Sequence, residues 1–146
     1  MSAEEPGRFL PHGPEMVYVH GVVRHDEEGC TCTATFGADN PFARGGRVRS
    51  FVTVEMAAQV IAVHEGLLSS QRSDERKEEA QSGRIGYLVA MSDLQLLQPD
   101  VDCEEELQVT VTRAASTPGL AVYAMRVARA AGESVATAEL KTFRPE

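Results

Sequence analysis

Positive charge is in short supply. The chain has 14 lysines and arginines against 22 aspartates and glutamates, a formal net charge of −8. Binding a nucleic-acid backbone requires a basic face, so that class of partner is excluded, and an anionic lipid surface would repel the chain. Cysteine is scarce as well, with three residues: Cys30 and Cys32 lie two apart, and Cys103 is far away in a charged segment. A zinc site needs four ligands at recognisable spacing, which these residues do not offer, so no metal and no other cofactor is expected. The opening stretch MSAEEPGRF is acidic and carries a proline where a secretory leader has a basic and then an apolar stretch. Reduced thiols in a cytoplasmic protein are the expectation. The chain also lacks internal repeats, long linkers and any clean apolar run of the about 20 residues that a membrane span needs. Its 146 residues are expected to form one domain, 1–146, large enough to bury a core without staples.

The most informative feature is the stretch FVTVEMAAQVIAVHEGL, Phe51 to Leu67, which carries one carboxylate, Glu55, and one amide, Gln59, a helical turn apart. A helix apolar on almost every side belongs inside a core. A carboxyl group there must be paired, hydrogen-bonded or protonated, because burying an isolated charge costs more than neutralising it. A carboxyl kept neutral near physiological pH is a proton donor, which makes Glu55 the leading candidate for chemistry. Ser50, immediately before this run, has the hydroxyl of a good N-cap.

The rest of the chain is strand and turn. Met16 to Arg24 is rich in β-branched residues, His25 to Gly29 is a turn that leaves His25 solvent-exposed, and Cys30 to Phe36 completes a hairpin. Gly37 to Arg49, with Asn40-Pro41 and Gly45-Gly46, is expected to be a loop. Ser69 to Gly83 is charged without an apolar stripe and should be a solvent-exposed segment. Four strand-like runs follow: Ile85 to Met91, apolar enough for a central strand, then Glu105 to Arg113, Leu120 to Ala130 and Glu133 to Phe143. The order predicts an α+β fold, with an antiparallel meander of four strands and the hairpin wrapped around one long helix. A single sheet of this size leaves edges and an incompletely covered helix, so a dimer is expected.

Three short motifs in this order resemble a known family. Leu10 to Val19 (LPHGPEMVYV), Asn40-Pro41-Phe42 and Glu55 to Gln59 (EMAAQ) are similar to the LPHR-P-MLLVD, N-x-PFF and E-A-M-A-Q segments of the hot-dog-fold β-hydroxyacyl-acyl-carrier-protein dehydratases. The correspondence runs from about Leu10 to Phe143. Gly46-Arg47-Val48 and the short loop around it resemble a divergent branch, the predicted 3-hydroxyacyl-carrier-protein dehydratases of aryl-polyene and related clusters. Where typical members have G-H-F-P-G with a catalytic histidine, this chain reads ARGGRVR from Ala43 to Arg49 and has no histidine.

The resemblance implies a hot-dog fold and dehydration of 3-hydroxyacyl thioesters, carried by an acyl carrier protein or coenzyme A, in a fatty-acid or polyene-type pathway. It implies a site at a dimer interface, shared with a second copy or with another hot-dog subunit. Such chemistry needs an acid for the departing hydroxyl, a base for the α-proton, and dipoles for the thioester oxygen. Glu55 is the acid. Helix N-terminal amides near Ser50, Phe51 and Val52 could polarise the carbonyl, while Gln59 orients Glu55 or touches the thioester arm. His64, nine residues past Glu55, faces away from it, His20 is mid-strand and His25 is in an acidic turn. His12, in the LPH motif, is the candidate base, with a structural hydrogen-bonding role as its alternative. Arg44, Arg47 and Arg49 are candidate contacts for a phosphopantetheine arm or an acidic carrier, or ordinary solvated loop charges, or charges paired with acidic residues of a partner subunit. A non-catalytic partner subunit is the competing reading, and an acyl thioesterase stands behind both.

Overall fold

The computed structural model describes residues 17–72 and 87–143. His12, the LPHGPEM stretch around it and residues 73–83 of the charged segment therefore lie outside the described residues. Strands β1 (Val19–His25) and β2 (Gly29–Ala34) form the expected hairpin. Its turn is held by the Asp26 carboxylate, which accepts the amides of Glu28 (2.9 Å) and Gly29 (3.0 Å). Those two bonds hold the Asp26 carboxyl below its ordinary range.

Small inward residues on β2 (Cys30, Cys32 and Ala34, all fully buried) leave room for a helix to lie close against the sheet. β2 also approaches β6 (Leu107–Thr117) closely. A β-carbon on Gly29 would come within 2.3 Å of the Val111 carbonyl oxygen, which is backbone and cannot step aside. Gly29→Ala is therefore expected to destabilise the fold by at least ~2 kcal/mol, read as a lower denaturant midpoint at unchanged slope.

Helix α1 (Thr53–Arg72) crosses β1, β2, β6, β7 (Leu120–Arg129) and β8 (Ser134–Phe143). Its residues Met56, Ala57, Val60, Ile61, Val63 and Leu67 pack with Leu107, Val109, Val111, Tyr123, Met125, Val127 and Leu140 of the sheet. The helix continues past Gly66, where the sequence pattern weakens, because Leu67 and Leu68 still meet the core. Ser50–Ser70 is long and apolar enough to cross a bilayer, but 61% of that window is buried inside the molecule, as befits a core helix. The fold is the expected α+β hot-dog architecture.

Three expectations are corrected. First, the closing strands are not a meander of four. β6, β7 and β8 are consecutive neighbours, but β4 (Tyr87–Leu96) crosses to pair with β8, giving the order β1-β2-β6-β7-β8-β4. Second, the Ile85 to Met91 run does not supply a central strand: β4 is the sheet edge, and every residue from Ala90 to Leu96 is exposed. A register break between Ser92 and Gln95, with Asp93 at φ 55°, bends it locally. Third, the 37–49 loop ends in a short strand, β3 (Arg47–Arg49), paired with β5 (Asp100–Asp102). Val48 and Val101, facing each other and fully buried, anchor this two-stranded clasp beneath the helix N-terminus.

Candidate functional site

The clasp delivers the chain into a 3-10 turn, Ser50–Val52, before α1 begins. Ser50 is consequently not the N-cap. Its amide donates to Pro99 O (3.1 Å), its carbonyl accepts the Thr53 hydroxyl (2.6 Å), and its own hydroxyl is buried without a partner. Because the Ser50 amide is engaged by Pro99, it is not open to a thioester oxygen. Val52 is also turned inward, 8% exposed, and belongs to the core. Phe51 is the opposite case: it stands 54% exposed at the mouth of a cleft of about 350 Å³. Arg49, Ser50 and Phe51 form one wall of the cleft, and Leu96 to Pro99 form the other. The second wall was not foreseen, since nothing local in LQLLQP marks it as facing the helix start.

Glu55 lies four residues beyond Phe51, in the first turn of α1. It is half-buried rather than fully enclosed, within a stripe of half-covered residues that continues through Ala58, Ala62 and Glu65. The dry enclosure expected from the sequence is thus not completed by the described part of this chain. Gln59, one turn on, is 1% exposed, and its side-chain oxygen accepts the Tyr18 amide (2.9 Å). This bond ties the residue before β1 to the helix.

The described histidines stand elsewhere. His20 is on the outer face of β1, with its ring nitrogens 2.8 Å from Thr35 Oγ1 and 3.2 Å from Thr33 Oγ1. His64 is fully buried in the second half of α1, roughly 13 Å along the axis from Glu55 at 1.5 Å per residue. His25 is not solvent-exposed as expected but half-buried, its ring centroid 5.0 Å from that of His64. Tyr123 closes the group edge-on to His64 at 5.7 Å, and its hydroxyl donates to Glu65 Oε2 (3.0 Å) instead of reaching water. Among the described residues neither ring nitrogen of His64 has a hydrogen-bond partner, nor does His25 Nε2. The 39-residue separation of the two histidines hid this cluster from any local pattern.

Cys30 and Cys32 share the inner face of β2 as expected, their sulfurs 3.6 Å apart, and the bond to Cys30 together with burial pushes the Cys32 thiol up. Among the described residues no three histidine, cysteine or acidic side chains stand close enough to hold a metal ion.

The arginines divide. Arg44 donates to the carbonyls of Pro41 (3.2 Å) and Ala43 (2.7 Å) in its own loop. Arg47 pairs with Asp100 (3.7 Å) and Asp102 (3.2 Å). Arg49 alone of the three lines the cleft.

The family model for ApeP-like proteins, described as ApeP dehydratase, matches residues 4–146. No curated protein matches the chain. Among solved structures, the dehydratase heterocomplex ApeI:P from Xenorhabdus doucetiae is similar at a TM-score of 0.82 and 21% identity, over 99% of this chain and 93% of that one. A hypothetical thioesterase with coenzyme A from Streptococcus pneumoniae follows at 0.61 and 10% identity, over 85% and 84% of the two chains. The PaaI protein of the E. coli phenylacetic acid degradation operon is similar at 0.60 and 17%, over 86% and 78%. At these identities the likeness shows the hot-dog fold.

Proposed function

Because the chain belongs to the ApeP-like dehydratase family, we propose that it is one half of a hot-dog pair that removes water from 3-hydroxyacyl thioesters. The reaction breaks the α-carbon–hydrogen and β-carbon–oxygen bonds and forms the enoyl double bond. Glu55 protonates the departing hydroxyl, a histidine takes the α-proton, and water leaves.

The observation that carries this reading is the pairing of a half-open carboxyl with an uncovered strand. Glu55 lies on a helix stripe that the chain leaves half covered, and β4 exposes Met91, Leu94 and Leu96 along a free edge, with Leu97 just beyond. Isolated apolar side chains are ordinary on surfaces; a whole edge strand bearing them is a contact face. A second subunit paired along β4 would extend the sheet and supply the missing cover. The heterocomplex named for the similar structure favours a different hot-dog chain over a second copy. No described histidine adjoins Glu55, so the base is His12 or a residue of the other subunit. The same point favours the second reading, in which this chain binds and positions the acyl group while the other subunit performs the chemistry. The thioester is that of an acyl carrier protein or coenzyme A.

Co-expression with a neighbouring hot-dog dehydratase subunit is expected to give a stable complex that converts a 3-hydroxyacyl thioester to its enoyl product. A chain that stays alone in solution and leaves such thioesters unchanged under every pairing would refute the proposal. Release of free thiol without enoyl product would point to a thioesterase instead.

A further inference from the structure

Three arginines precede the helix in the space of six residues, and they are held differently. The guanidinium of Arg44 is folded back on its own loop carbonyls. Arg47 lies between two carboxylates. Arg49 sits opposite Asp100 in the β3–β5 ladder, yet the Asp100 carboxylate is drawn to Arg47. Arg49 is exposed and makes no hydrogen bond or ion pair with any described residue. This uncommitted cation stands at a cleft of mixed polar and apolar lining.

The cleft itself carries a second, independent sign of a ligand. Its wall includes Ser50, which is 1% exposed and has a hydroxyl with no hydrogen-bond partner among the described residues. A buried polar atom left unsatisfied is costly unless something else completes it. Around these two groups stand Phe51 and Leu97, 54% and 49% exposed, giving an apolar flank below a positive rim. Such a site suits a flexible, uncharged arm that ends in a phosphate ester.

We propose that Arg49, and not Arg44 or Arg47, is the specificity residue that receives the phosphate of the thioester-bearing arm as it enters this cleft. The assignment rests on the thioester reading above. The phosphate could belong to the prosthetic arm of a carrier protein or to coenzyme A, and both present the same ester to a guanidinium fork.

Titration of the full-length chain in its complex separates the possibilities. Phosphopantetheine is expected to bind about tenfold more tightly than pantetheine, the worth of one charge-assisted contact at an exposed site. Arg49→Gln should erase that preference without changing pantetheine affinity or the melting temperature, while Arg44→Gln and Arg47→Gln should keep it. With carrier-bound and coenzyme A thioesters compared as substrates, a rise in KM on the carrier substrate alone assigns the phosphate to the carrier. A rise on both assigns it to the shared ester.

Three results would overturn the assignment: a wild-type complex with no preference for phosphate, a preference that survives Arg49→Gln, or an equal loss in either of the other two variants. Dissociation of the complex by Arg49→Gln with the preference intact would show that the cation serves the partner subunit, and it too would overturn the assignment. Because binding is measured directly, a complex without dehydratase turnover would reject the functional reading and still decide the role of Arg49.

Discussion

Glu55→Gln in the assembled complex is expected to cut enoyl formation by about 10²–10⁴-fold, the usual worth of a positioned general acid. Its KM should stay within a few-fold of wild type. The two side chains have the same shape, and an amide still donates and accepts hydrogen bonds, but it cannot deliver a proton to a departing hydroxyl. Glu55 is half-buried in the first turn of α1, outside the packed set of Met56, Ala57, Val60 and Ile61. The exchange should therefore leave the melting temperature nearly unchanged and the complex intact, so that lost turnover reports on chemistry. Single-turnover measurements on the pre-bound thioester would isolate the step. Wild-type rates in this variant would remove Glu55 from the mechanism and leave the binding-subunit reading in possession.

The second large effect lies at the other end of the helix. His64 is fully buried, and the loss of hydration moves its proton affinity down from the ordinary 6.5 to about 4. Nearby His25, Arg113 and Arg24 push the same way, and Asp26 opposes them. Tyr123 and Glu65 close the cluster through their own hydrogen bond.

The imidazole is therefore neutral in the fold, whereas the unfolded chain accepts a proton as soon as pH drops through 6.5. Stability from this residue is complete above about pH 6.5, declines as pH falls toward 4, and levels off below. The full span amounts to about 3 kcal/mol. His64→Leu should flatten that part of the pH profile and, by removing two ring nitrogens that have no partner, should cost little or even gain stability at neutral pH. Denaturant unfolding of both proteins at pH 7.5 and 4.5 tests this as a difference of differences, which cancels the carboxylates they share. An equal acid loss in both proteins would show that His64 is not its source.

What the sequence revealed and what it concealed follow from the range of the interactions involved. Strands β6, β7 and β8 announce themselves because alternation is a local consequence of having one buried face, as Leu107, Val109 and Val111 show. The core helix is equally local, and so is Glu55 within it. β4 misled for a physical reason: composition alone does not tell an apolar strand covered on both sides from one that ends the sheet. Its place beside β8 rather than β6 depends on a crossover that leaves no periodic trace.

The site shows the same division. The EMAAQ segment marks Glu55, but the partner of the Gln59 oxygen, the Tyr18 amide, lies 41 residues earlier. That Ser50 is taken by Pro99, and that Arg47 rather than Arg49 is neutralised, follows from a three-residue ladder between β3 and β5 too short to leave a pattern. The His25–His64 pairing likewise exists only in three dimensions.

The bare edge of β4 also has a bearing on supply within the cell. Among the described residues no strand pairs with the outer side of β4, beside Met91, Leu94 and Leu96, and an open row of backbone donors and acceptors will accept whatever extended segment meets it first. Surplus molecules are thus the natural feedstock of aggregates and of proteolysis. Under the proposed pairing, matched synthesis of the two halves would be a requirement written into the geometry of one strand.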